Sequence, residues 1–112
     1  MWRRLVPIAL LVAPAAPLRR GIVWDVDGTL VDSTRLGFDA SNEVLTRNGY
    51  AAVSADEYAV GAKFSTADRF SWHVGAAAGS EVGAELGREF DRCYVARVDG
   101  ETAGMFEGVE RL

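Results

Sequence analysis

Only one short stretch of this chain reads as a β-strand, and the residues after it carry the periodicity of helices. Gly21-Ile22-Val23-Trp24 is a bulky apolar run, bounded by glycine before and by Asp25 and Asp27 after, the signature of a buried strand of about five residues. A parallel sheet cannot be built from one strand. The 112 residues are therefore expected to be mostly α, with one strand near 21–26.

The helical signals are specific. Leu36, Ala40 and Val44 recur at i, i+4 with Leu45 beside them, and Asn48-Gly49 supplies the stop, predicting a helix over 33–47. Ser54-Ala55-Asp56-Glu57 has the spacing of a capping box, in which serine and glutamate satisfy each other's free amides, predicting a helix over 55–60. Ser65 or Thr66 opens another, expected over 66–76 before Ala76-Ala77-Ala78-Gly79 dissolves it. Ser80 opens the longest, over 81–98, with Val82, Leu86, Phe90, Cys93, Tyr94 and Arg97 on one face. Gly83 and Gly87 weaken that helix, each by up to about 1 kcal/mol relative to alanine.

Length and composition bound the rest. A chain of 112 residues has room for one small domain, and its 49% hydrophobic and 25% charged residues are ordinary for a globular protein. The net charge of −4 argues against a nucleic-acid partner, which needs a basic face. Cys93 is the single cysteine, which excludes an intrachain disulfide and reads as a small core residue. His73 is equally alone, so a zinc site is not expected.

Residues 1–20 stand apart. Trp2-Arg3-Arg4 is basic, Leu5 to Val12 is apolar, Ala13-Pro14-Ala15 sets small residues at an Ala-x-Ala spacing, and no acid precedes Asp25. This is the layout of a leader, a secretory or organellar targeting segment. An irregular extension ahead of a cytoplasmic domain is the other reading. The apolar run is too short, and too interrupted by Pro7, to give a transmembrane span.

Chemistry concentrates at Asp25-Val26-Asp27-Gly28-Thr29. Two aspartates at a strand end leave the sheet edge where ligands bind in open α/β sheets. Gly28 lets the chain turn sharply and brings main-chain N–H groups toward an anion. Two carboxylates beside a phosphate repel it, so a divalent cation belongs between them, and Mg2+ suits such oxygen-only ligation. A helix-loop-helix calcium site fails on spacing. A loop begun at Asp25 puts Leu30 at the turn glycine and Leu36 at the bidentate glutamate, and placing Gly28 at the turn puts Val23 at the first ligand.

The run Gly21 to Ser33, GIVWDVDGTLVDS, resembles the first motif of the haloacid dehalogenase (HAD)-like hydrolase superfamily. Its Leu30-Val31-Asp32-Ser33 continuation is similar to the phosphoglycolate phosphatase and β-phosphoglucomutase branch. Met105-Phe106-Glu107-Gly108-Val109 resembles the family's approach to its second core strand. Trp24 stands where phenylalanine is usual, and Glu107 where proline is usual. The resemblance implies an α/β fold, a Rossmann-like core with an inserted helical cap. On that layout 21–32 is the first core strand and catalytic loop, 33–100 the helical cap, and 101–112 a truncated return to the core.

The activity implied is that of a Mg2+-dependent phosphatase acting on a small phosphorylated metabolite such as phosphoglycolate, through an aspartyl-phosphate. Asp25 would be the nucleophile and Asp27 the general acid and base. Magnesium would be held by the Asp25 carboxylate and the Asp27 main-chain carbonyl, and amides of Val26, Gly28 and Thr29 would cradle the phosphate. In the cap, Lys63 and Arg69 lie near where relatives place substrate-contacting residues and could hold a second anionic group; a solvated helix end is the other reading. The family also needs a serine or threonine, a lysine and an acidic pair. All of these are expected beyond Leu112, so the 112 residues alone are expected to be inactive. A sugar phosphomutase and a non-catalytic cap fragment that at most binds another protein are the alternatives. Phe64, Phe70 and Trp72 read as core or as pocket walls.

Overall fold

A computed structural model describes residues 20–112, so all but the last residue of the expected leader lie outside the described residues. Four helices dominate: α1 (Thr34–Arg47), α2 (Ala55–Gly61), α3 (Thr66–His73) and α4 (Glu81–Arg97), with a 3-10 turn at Val109–Arg111 near the end. None of them is long and apolar enough to cross a membrane.

Serine begins three of the four helices with its side chain. Ser54 accepts from the Glu57 amide at 3.2 Å while the Glu57 carboxylate accepts from the Ser54 amide at 2.8 Å, completing the expected capping box. Ser65 and Ser80 accept from the amides of Asp68 and Gly83. Such bonds satisfy donors that a helix start leaves unpaired. Helix α3 ends at His73, three residues earlier than expected. Gly75 takes φ +73°, and the Ala76 amide turns back onto the Ser71 carbonyl at 2.8 Å, closing the end.

The core forms where α4 packs against α1 and α3. Ala40, Val44 and Leu45 of α1, Phe70 of α3, and Leu86, Phe90 and Cys93 of α4 are buried together. Gly83 permits the closest approach. A Cβ there would lie 2.5 Å from the Ala67 carbonyl oxygen and run into the Ser71 hydroxyl, so the glycine that costs helix propensity is what lets α3 and α4 meet. At the far end, Glu89 of α4 accepts from Asn48 Nδ2 at 2.8 Å and Arg47 Nη1 at 3.1 Å, which holds its carboxyl below the usual range. Between α1 and α2 the Asn42 amide pairs with both backbone groups of Val53, at 2.8 and 3.0 Å.

The strand expected at 21–26 does not form, and no strand exists among the described residues. Ile22, Val23 and Trp24 are 78%, 98% and 49% exposed. A strand needs a neighbour to accept its backbone bonds and cover its faces, and Ile22 to Trp24 make no backbone hydrogen bond to any described residue. Pairing occurs just afterwards. Val31 bridges Met105 in antiparallel fashion, with the Asp32 amide donating to Gly104 O at 2.8 Å and the Phe106 amide to Leu30 O at 3.0 Å. The chain thus departs into the helices at Ser33 and returns to the same place by Gly104.

Candidate functional site

Residues 26–31 wind into one tight turn around a single carbonyl. Val26 O accepts from the amides of Thr29 (3.2 Å), Leu30 (2.9 Å) and Val31 (3.0 Å), and Gly28 N–H donates to Val31 O at 2.9 Å. Gly28 sits at φ +74°, a conformation that a side chain would strain. The turn sets Asp25 and Asp27 on the surface, each held by one hydroxyl. Thr29 Oγ1 donates to Asp25 Oδ2 at 3.1 Å, and Ser33 Oγ donates to Asp27 Oδ1 at 2.9 Å. Each carboxylate keeps its other oxygen without a donor among the described residues.

Of the amides named for a phosphate, those of Gly28 and Thr29 are engaged inside the turn. Val26 and Asp27 N–H have no acceptor among the described residues, so these two amides of the turn are left open. The donor set is entirely oxygen: two carboxylates and the Asp27 carbonyl, which accepts no bond among the described residues. Oxygen donors are the kind that suit Mg2+, which is commonly held by one or two carboxylates with phosphate and water completing the shell; of the two aspartates, Asp27 lines the cleft beside the turn and Asp25 does not. No group of three or more acidic, histidine or cysteine side chains that could hold a metal exists among the described residues.

Beside the turn opens a cleft of about 730 Å³. Asp27, Gly28 and Asp32 form one wall. The helices supply the others: Phe38 from α1, Tyr58 from α2, Arg69 from α3, and Phe90 and Tyr94 from α4. These aromatic walls differ from the expected candidates Phe64, Phe70 and Trp72. Phe70 is fully buried core, while Phe64 and Trp72 are 37% and 42% exposed and pack on each other at 5.8 Å, outside the cleft.

The two cap cations separate. Lys63 is exposed, its Nζ 5.1 Å from the Phe64 ring centre, and it does not line the cleft. Arg69 lines it and is only 9% exposed. Its guanidinium carbon lies 4.9, 5.2 and 5.5 Å from the ring centres of Phe90, Tyr58 and Phe70, within cation–π range. Nε and Nη2 are buried with no acceptor among the described residues. Burial lowers the Arg69 pKa and raises that of Tyr58, the nearby opposite charge partly offsetting each.

No family model, curated protein or solved structure matches the chain.

Proposed function

We propose that this chain carries the nucleophile loop and helical cap of a magnesium-dependent phosphatase of the haloacid dehalogenase type, acting on a small phosphomonoester. On this reading the loop stands at the end of the first strand of an α/β core, and α1 to α4 are the cap inserted after it. The observation that carries the reading is the joint between loop and helices. The chain leaves the Asp25–Asp27 turn at Ser33, builds a four-helix unit, and comes back to hydrogen-bond Leu30 and Asp32 through Phe106 and Gly104. That is how a cap inserted beside a catalytic loop has to be connected.

In the reaction, Asp25 attacks phosphorus through the oxygen that Thr29 leaves bare, splitting one displacement into two. Asp27 protonates the leaving oxygen and then takes a proton from the attacking water. Its bond from Ser33 fixes the carboxyl and leaves Oδ2 for that exchange. The amides of Val26 and Asp27 bind the phosphoryl oxygens. Bound magnesium supplies charge neutralisation on the transferring group, with the Asp25 carboxylate and Asp27 carbonyl as its protein ligands.

The test is phosphate release from small phosphomonoesters by a completed enzyme in which a core supplying the serine or threonine, the lysine and the acidic pair is joined after residues 1–112. Release should require magnesium and vanish with Asp25→Asn, together with acid-stable labelling of the Asp25 peptide. Asp27→Asn should slow turnover while leaving magnesium affinity nearly unchanged, because its ligand is a main-chain oxygen. Activity indifferent to Asp25→Asn, or equal loss of metal affinity in both variants, rejects the assignment.

A further inference from the structure

The cleft beside the Asp25–Asp27 turn is larger and more aromatic than a two-carbon phosphate ester requires. Its volume of about 730 Å³ falls within the roughly 300–1,000 Å³ of pockets that enclose drug-sized ligands. Phe38 and Tyr58, edge to face at 5.7 Å, and Phe90 and Tyr94, tilted at 5.6 Å, give it two ring pairs. Ala55 and Ala59, one turn apart on α2, line it with side chains too short to fill it. Walls of this kind suit a flat apolar body, since stacked or edge-on rings attract beyond the area they bury. A small hydrated acid would leave them wet.

One polar edge interrupts those walls. Arg69, only 9% exposed, lines the cleft, with Nε and Nη2 buried and without an acceptor among the described residues. Arg35, also lining the cleft, is engaged instead by both oxygens of Asp39, at 3.0 and 2.9 Å. Nε–H and one Nη2–H point the same way from one edge of the planar guanidinium, and so match two adjacent acceptors lying in one plane. Buried donors without acceptors destabilise a fold, which favours a ligand that supplies such a pair. A guanine or hypoxanthine base has both properties: a flat aromatic body, and O6 and N7 acceptors side by side on its rim, which arginine binds in two-pronged fashion. Adenine replaces O6 with an amino donor. We infer that the cleft binds a 6-oxopurine base, with Arg69 reading its O6–N7 edge and the ring pairs holding its faces. A nucleotide of that base would present its phosphate to the turn; this half rests on the phosphatase reading, and the base site does not. Nε and Nη2 are closed to solvent, so binding requires the guanidinium to turn toward the cleft.

Calorimetric titration of the purified 112-residue chain with nucleosides, which carry no phosphate, tests the base site alone. Inosine should bind about tenfold or more tighter than adenosine, the scale of one two-pronged contact. The analogue 7-deazainosine, which lacks N7, should fall toward adenosine. Arg69→Met should bring inosine down to the affinity of adenosine, with circular dichroism showing that the variant folds. The nucleoside series needs no variant, so it decides even where Arg69→Met fails to fold. Equal affinity for the three nucleosides, no inosine binding, or inosine binding that a folded Arg69→Met leaves unchanged overturns the proposal. In a completed enzyme, phosphate release from inosine 5′-monophosphate should exceed release from adenosine 5′-monophosphate. Equal release from the two overturns the link between base site and turn. Inosine bound on these terms, with no phosphate released from either nucleotide, retains the base site and rejects the phosphatase reading instead.

Discussion

The Ser33 hydroxyl donates to Asp27 Oδ1 at 2.9 Å, although Ser33 occupies the position before α1 from which a serine ordinarily caps its helix. Its φ and ψ of −107° and 3° are not those of the extended caps at Ser54, Ser65 and Ser80, and its side chain makes no capping bond. The residue has exchanged a helix-start role for holding a carboxylate. Ser33→Ala should therefore loosen the turn rather than the helix. Amide exchange at Leu30 and Val31 is expected to accelerate several-fold, while exchange at Ala40 to Val44 and the unfolding midpoint change little. Equal acceleration in α1 would mean that the hydroxyl supports the helix after all.

Gly83 and Gly87 lie one helical turn apart and should respond oppositely to alanine. At Gly83 the new methyl meets the Ala67 carbonyl at 2.5 Å and the Ser71 hydroxyl, and overpacking of this kind costs about 1–3 kcal/mol. At Gly87 the nearest atoms are at 3.5 Å, an ordinary contact, so the gain in helix propensity of up to about 1 kcal/mol should dominate. Urea unfolding of Gly83→Ala and Gly87→Ala measures both.

His73 sets the first step of acid sensitivity. Burial lowers its pKa from 6.5, the Arg69 charge lowers it further, and Glu57 opposes both. Because the folded value lies below the unfolded one, the contribution is present above 6.5 and is lost as pH falls through the lowered folded value. Glu57, Glu89 and Asp99, whose values are lowered from 4.5, 4.5 and 3.8, act only at more acid pH. Melting temperature should decline in two stages on acidification, and His73→Gln should remove the upper one. A variant with the same upper decline would assign it elsewhere.

The 112 residues alone should release no phosphate. Lys63, the single lysine of the sequence, lies outside the cleft, so no lysine is placed to offset charge beside Asp25 and Asp27. Stabilisation of that kind is worth several kcal/mol in acyl- and phosphoryl-transfer sites, and each 1.4 kcal/mol is about tenfold in rate. A chromogenic aryl phosphate with magnesium is the assay. Turnover abolished by Asp25→Ala would mean that another group completes the site.

What the sequence made legible was local. Serines at 54, 65 and 80, the Leu36–Ala40–Val44 stripe and Gly49 place the helices within a residue or two, because capping and periodicity are settled by neighbours along the chain. The end of α3 falls three residues before the expected one, since Gly75 closes it through its own left-handed φ before the alanines are reached. Gly21 to Trp24 has the composition of a strand, but a strand is a property of a pair, and composition at one segment does not provide the other. Nothing along the chain around Arg69 signals its burial. The rings that enclose it come from α2, α3 and α4, and their meeting depends on the close approach at Gly83. The motif at Asp25 and Asp27 forms a turn in which both side chains are held, without the sheet that the resemblance would set around it.

Val31 and Met105 face each other across a single antiparallel bridge, so the four helices form a detour that returns to its own point of departure. A host framework joined at residues 30 and 106 would experience no net displacement from the residues between them. Their number, tilt and sequence are then free to vary without disturbing the spacing of whatever lies on either side.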